Sequence, residues 1–385
     1  MQLPSLPYQD EIVTFRHTLH QYPELSGSEH ATAERIKEFI SQFNPDAILT
    51  GIGGTGIVVV FNGYDPTEGP TVLIRAELDA LPIEDINELN YQSVHVGIGH
   101  KCGHDGHMAI LAGVAGLLHQ NKPKRGRVLL LFQPAEENGA GAWAVLQDNR
   151  FKALQPDYVF ALHNLPGVPL NQIVIRNDTF CAASSGMIIS LSGKSSHAAE
   201  PELGVSPALA VAEIIQAFNK LILQKENFEE LILLTLIHAR IGEVAFGTNP
   251  GFATVMATLR AFQPKDFEKL KSQAIQTAGD IAAKYSLQLQ IEFVEEFPAT
   301  INDAAANKLI RSAAQELQFP VIEAPVPFRW SEDFGHFTHT YKGALFGLGA
   351  GVGQPQLHHP DYDFPDSIIP TGAHLFHKLI NQLLT

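Results

Sequence analysis

A chain of 385 residues is too long for one ordinary core, since domains usually run to roughly 100–200 residues, so two domains are expected. Hydrophobic residues make up 45% of it and charged residues 17%, enough apolar surface to fold without staples, which excludes a disordered chain. The formal net charge of -15, with no lysine or arginine stripe to offset it, excludes nucleic acid as a partner, and two cysteines, Cys102 and Cys181, exclude a disulfide framework.

The N-terminal stretch MQLPSLPYQDEIV lacks a basic segment followed by an apolar one, and no run of about 18 apolar residues occurs, so a cytoplasmic protein without a membrane span is expected. From Glu11 to Phe43 apolar residues recur at helical spacing and predict two amphipathic helices separated by a cap region at Ser26–Ser28. Apolar runs bounded by glycine follow at 56–61, 71–76 and 127–133, with a helical pattern from His107 to Gln120 before the last. Strands alternating with helices imply an α/β fold, a layered domain with a mainly parallel central sheet.

From Ser185 to Phe297 the order changes to strand, helix, two strands, helix and strand. This βαββαβ order is the ferredoxin-like split motif. It reads as an insert because helix and strand patterns resume at ANKLIRSAAQEL, ALFGLG and TGAHLFHKLINQLL. The expected division is therefore a discontinuous catalytic domain, 1–184 and 298–385, and an inserted domain, 185–297, with hinges near Ala183 and Ala299.

Four places carry residues suited to chemistry. The densest is His100-Lys101-Cys102-Gly103-His104-Asp105-Gly106-His107, where Cys102 and His104 can reach one metal ion or two adjacent ones, and a helix starting near Asp105 would turn His107 inward. The alternative is a helix cap with core histidines. Glu136 and Glu137 follow an apolar strand, so their side chains point to opposite sides and can divide the work of ligand and base. His163 ends the apolar strand YVFALH, and His358 and His359 sit in a loop after the glycine-rich ALFGLGAGVG. All four lie in the same layered domain, mostly just past predicted strands, where α/β proteins place their sites.

The strings RAELDALPIED at 75–85, HKCGHDGHMAILAG at 100–113, LLFQPAEENGAGA at 130–142, GKSSHAAEPELGVSP at 193–207, SEDF at 331 and LHHPDYDF at 357 occur in one order. With them the chain resembles peptidase family M20, the co-catalytic metallopeptidases, and within it the amidohydrolase branch of aminoacylases, hippurate hydrolases and N-acetyl-diaminopimelate deacetylases. The resemblance implies hydrolysis of the amide bond of N-acyl amino acids by an enzyme with two divalent ions, zinc or manganese, in which Cys102 bridges and His104, Glu137, His163 and His358 complete the ligand set. It implies Glu136 as general base and proton shuttle, and Asp79 as a group that orients a ligand. It further implies that His197 stabilises the oxyanion across a homodimer formed by the inserted lid domain, and that Arg260 holds the substrate carboxylate.

Departures from the family pattern cluster where substrate is recognised. Lys101 stands where a small residue is common, Glu77 replaces an aspartate, Trp330 precedes SEDF where glycine is usual, and the asparagine-bearing turn reads Gly247-Thr248-Asn249-Pro250, leaving Asn249 as the substrate-binding candidate. Three alternatives remain open at this level: a dipeptidase or carboxypeptidase with the same metals, a catalytically silent metal-binding protein, and a thiol hydrolase in which Cys102 pairs with His104 or His107.

Overall fold

The computed structural model describes residues 5–385. Helices α1 (Gln9–Gln21) and α2 (His30–Ser41) open the chain, followed by β1 (Ala47–Ile52), β2 (Gly56–Asn62), β3 (Thr71–Glu77), α3 (His104–Gln120), β4 (Arg127–Gln133), β5 (Tyr158–Pro166) and β6 (Ile173–Ile175). After the insert come α4 (Ala304–Glu316), β7 (Val321–Glu323), β8 (Lys342–Gly351) and α5 (Ile369–Leu384). The eight strands form one sheet in the order β1-β2-β4-β3-β5-β8-β6-β7. Its centre, β4, β3, β5 and β8, is parallel, while β1, β2 and β6 run antiparallel to their inner neighbours.

Continuous apolar runs form these central strands because both faces are covered. Every residue of β3 is buried, as is most of β2, β4 and β8. Helix α3 is buried from His104 to Leu118 and packs against α1, α5 and β3, which explains an apolar composition on all its sides. It begins three residues before the apolar periodicity, because its first turn is built from polar residues with work elsewhere. The expected serine cap of α2 is absent: Glu29 occupies the N-cap without a side-chain bond to the helix's own amides, and the Ser26 hydroxyl turns to Asp79 instead, at 2.7 Å.

A second compact unit comprises Cys181–Ala299 and Pro327–Glu332. Strands Ala183–Ser192, Ile232–Ile241, Phe252–Ala261 and Gln288–Phe297, with helices Ala208–Leu221 and Pro264–Lys284, give the βαββαβ order. The antiparallel sheet has Ile232–Ile241 and Gln288–Phe297 as its edges. Segment Pro327–Glu332 joins this unit through the N–H of Ala182, which donates to the carbonyls of Phe328 and Trp330. Six residues without periodicity carry no such sign in the sequence.

Candidate metal centre

The carboxyl ends of β3, β4, β5 and β8 gather the chemistry of the first unit. Asp79 follows β3, Glu136 and Glu137 follow β4, His163 lies in β5 and His358 follows β8, while Cys102 and His104 stand at the start of α3. This is the edge where open α/β sheets bind ligands. Gly103 makes the entry to α3 possible: its φ is 93°, and a Cβ there would sit 2.6 Å from Asn164 Oδ1.

Backbone carbonyls set the histidine tautomers. His104 Nδ1 donates to the Asp79 carbonyl at 2.8 Å and His163 Nδ1 donates to the Asn164 carbonyl at 2.9 Å. A carbonyl only accepts, so each ring turns its Nε2 inward as the potential ligand atom. His163 Nε2 lies 3.4 Å from Cys102 Sγ. His104 Nε2 is buried without a hydrogen-bond partner, 3.9 Å from both Glu136 Oε2 and Glu137 Oε1, a gap suited to a cation.

Two of the donor groups formed by the described residues meet here. Ligand atoms of Cys102, His104 and His163 lie within 4.8 Å of one another, and so do those of Cys102, Glu137 and His358. Cys102 belongs to both, the arrangement two ions sharing one thiolate require. Electrostatics fit as well. Burial works against a charged His104, yet Asp79, Glu77 and Glu137 raise its pKa to about 10, so the cavity draws positive charge to Nε2. Burial lowers His163 to about 3, which favours the neutral ring that a metal ligand needs. Burial also opposes the charge on Asp79, but bonds from His104, Ser26 and the Glu137 amide hold its carboxyl below the usual range.

Glu136 is buried beside these groups, and the Asp333 amide faces its Oε1 at 3.4 Å. Its turn is braced from several directions. Ala135 has φ 49° and donates its N–H to Glu29 Oε1 at 2.8 Å, while the Gly141 N–H closes onto the Ala135 carbonyl at 2.9 Å. Gly141 tolerates no side chain, since a Cβ would meet the Pro134 carbonyl oxygen at 1.6 Å. Asp333 in turn accepts from Arg75 at 2.6 Å, Gln133 at 2.8 Å and the Ala142 amide at 2.8 Å. Arg75 and Gln133 escaped sequence reading because a single polar residue in an apolar run announces no partner, and Ser26 and Glu29 because they lie where a helix cap is expected.

The departures of the first unit find partners. The Lys101 ammonium points to Asp85 Oδ1 at 2.6 Å and the Tyr362 carbonyl at 3.0 Å. Glu77 pairs with Arg75 and accepts from His107 Nδ1 at 2.7 Å. His107 Nε2 faces Asn164 Oδ1 at 2.5 Å, so both its nitrogens are taken, although Glu77, His104 and His107 also lie close enough to form a donor group.

The remaining expected residues lie in the second unit. His197 pairs with Thr248, and its Nδ1 accepts the Ala199 N–H at 3.0 Å, which leaves the proton on Nε2 as an exposed donor. Asn249 Nδ2 is committed to Ser196 Oγ at 3.1 Å and the Pro201 carbonyl at 3.3 Å, bracing this small hairpin. Arg260 Nη1 donates to the Arg329 carbonyl at 3.1 Å and Ser331 Oγ at 2.8 Å, and Trp330 stacks on Phe328 with centroids 5.1 Å apart.

The sequence pattern of peptidase family M20/M25/M40 matches residues 73–382. The chain belongs to this family. Two M20-like relatives in sequence are the N-acetyl-L-cysteine deacetylase of Bacillus subtilis, 31% identical over 98% of this chain and 89% of its own, and the N-acetyldiaminopimelate deacetylase of Anoxybacillus flavithermus, 29% identical over 96% of each. In structure, the chain is similar to the YxeP protein of Bacillus subtilis, a dinuclear metal binding peptidase of the M20 family, with a TM-score of 0.82, 26% identity and 98% coverage of both chains.

Proposed function

We propose that this M20 protein is a metal-dependent amidohydrolase that cleaves the amide bond of N-acyl amino acids with an attacking water. The observation that carries the reading is the pair of donor groups meeting at Cys102 with Glu136 alongside. In the proposal Cys102, His104 and His163 would hold one divalent ion and Cys102, Glu137 and His358 the other, with the thiolate shared. Such ions polarise an amide carbonyl and bring the pKa of water toward neutrality, each effect lowering the barrier by several kcal/mol. Glu136 takes the proton of the attacking water and passes it to the leaving amine. Asp79 holds His104 and the Glu137 amide in register.

The thiolate favours zinc and the carboxylate is compatible with manganese. Stripping with a chelator should abolish activity and added zinc or manganese should restore it, whereas a thiol hydrolase would ignore both treatments. Cys102 Sγ lies 3.4 Å from His163 Nε2, so a thiol mechanism that used this pair would run through a ring that the metal reading also needs.

The two ions should leave unequally. His104 and His163 are buried, but His358 has half of its side chain exposed, 51%, and stands at φ 64°, a strained conformation for a side chain. Chelator titration should release one ion per chain first, and His358→Ala should retain one. Loss of both ions in a single step from the wild type would contradict this order.

His197 and Arg260 are proposed to act from the inserted domain, the first as donor to the oxyanion and the second on the substrate carboxylate. Exposed Ile237, Ile241, Val244 and Phe246 on its edge strand and adjoining loop support a homodimer through that domain. Mixed dimers of Glu136→Gln and His197→Ala chains should regain part of the activity that each lacks; no recovery places His197 within its own chain. Arg260→Ala should raise KM for N-acyl amino acids and barely change it for their amides, and equal effects would defeat the carboxylate role. Retention of a reduced, buried Cys102 as ligand fits a cytoplasmic setting.

A further inference from the structure

We infer that His20 is a positioning residue, a buried imidazolium whose two N–H groups tie Asp85 to Asp105 and so set the 101–105 turn that carries Cys102 and His104. The inference rests on the reading of those two residues as ligands. His20 is fully buried in the last turn of α1, where the helix dipole favours a cation. Its Nδ1 lies 2.9 Å from Asp105 Oδ2 and its Nε2 lies 3.1 Å from Asp85 Oδ2. A neutral imidazole has one N–H, and with one it would turn a lone pair against a buried carboxylate.

Arg16 offers the one competing arrangement, with Nη2 3.4 Å from His20 Nδ1. The Asp105 contact is shorter, and Arg16 has carboxylates of its own: Asp105 at 2.8 Å, Asp366 at 3.3 Å, and Asp363. Asp85 also accepts from Lys101 at 2.6 Å, so Arg16, His20 and Lys101 stand against Asp85, Asp105, Asp363 and Asp366. Without the His20 proton the buried Asp85 and Asp105 would be left to Lys101 and Arg16, and Arg16 is shared with Asp363 and with Asp366, the latter also 2.8 Å from His17 Nε2. The other groups around the ring bring no charge: burial pushes His100 down to about 3, where it is neutral, and Tyr91 up to about 12. Burial opposes the charge on His20 itself, and the bonds to Asp105 and Asp85 overcome it. The tie bears on the ligands because Lys101 and Asp105 flank Cys102 and His104 in sequence, so both sides of the turn are pinned to one ring.

Nitrogen-15 spectra of the histidine-labelled full chain, with His20 assigned by its loss in His20→Gln, should show protons on both ring nitrogens between about pH 6 and 8. One bare nitrogen overturns the inference without any variant having to fold. His20→Gln should bind zinc about 10- to 100-fold more weakly in chelator competition, as loss of a residue supporting ligands does. Adding Asp105→Asn, which removes one buried anion while Arg16 keeps Asp363 and Asp366, should recover part of that loss. Wild-type zinc affinity in His20→Gln, or a double variant no better than the single one, defeats the charge role. If the wild type itself binds no zinc, the ligand reading fails and His20 is not at fault.

Discussion

Glu136→Gln is expected to lower kcat by about 10²–10⁴-fold, the usual contribution of a general base, with two divalent ions still bound per chain. Glutamine keeps the size of the side chain and an oxygen for the Asp333 amide, so the turn between Ala135 and Gly141 has no reason to move. What it cannot do is accept a proton from water and return it to the amine. The side chain is buried on a turn fixed by Glu29 and Gly141. Metal content is the deciding companion measurement. His104, Glu136 and Glu137 together also satisfy the spacing of a donor group, so loss of an ion in Glu136→Gln would make Glu136 a ligand and remove the base from the mechanism. Full turnover in the variant would end the proposal outright.

The fold was open to sequence reading because its strands are long apolar runs with glycine at their ends. RVLLLFQ forms β4 over the residues expected, and PKDFEKLKSQAIQTAGDIAAKY yields a helix from Pro264 to Lys284. Strands of three residues, β6 and β7, offer too short a window for any period to emerge. The edge strand β1 was hidden for another reason. Its sequence AILTGI carries a register shift between Thr50 and Ile52 and exposes two of its six residues, so neither alternation nor a clean apolar run marks it. At the site, the dense string from His100 to His107 drew attention because packing seldom uses so many metal-capable side chains together. The supports are different. Ser26 looked like a helix cap, Arg75 sat inside a strand and His20 belonged to an amphipathic helix. Each acquires its meaning from a partner more than fifty residues away, at Asp79, Asp333 and Asp85 respectively, and only the folded sheet brings these pairs together.

Cys102→Ala should have the second large effect, and for a reason the other ligands do not share. Its sulfur is common to the two donor groups of the proposed centre, so removing it would take a ligand from each ion at once and leave His104 with His163, and Glu137 with His358. Both ions are expected to fall below stoichiometric binding, and turnover to drop by at least about 10²-fold, since each ion is worth several kcal/mol and every 1.4 kcal/mol is tenfold. His358→Ala, by contrast, should cost one ion. A nucleophilic Cys102 would also give an inactive alanine variant, so activity alone decides nothing. The readings separate on metal content: a nucleophile's removal leaves the ions in place, and a bridging ligand's removal does not. Cys102→Ala chains that hold two zinc ions would transfer the bridging role elsewhere and return Cys102 and His163, at 3.4 Å, to consideration as a thiol pair.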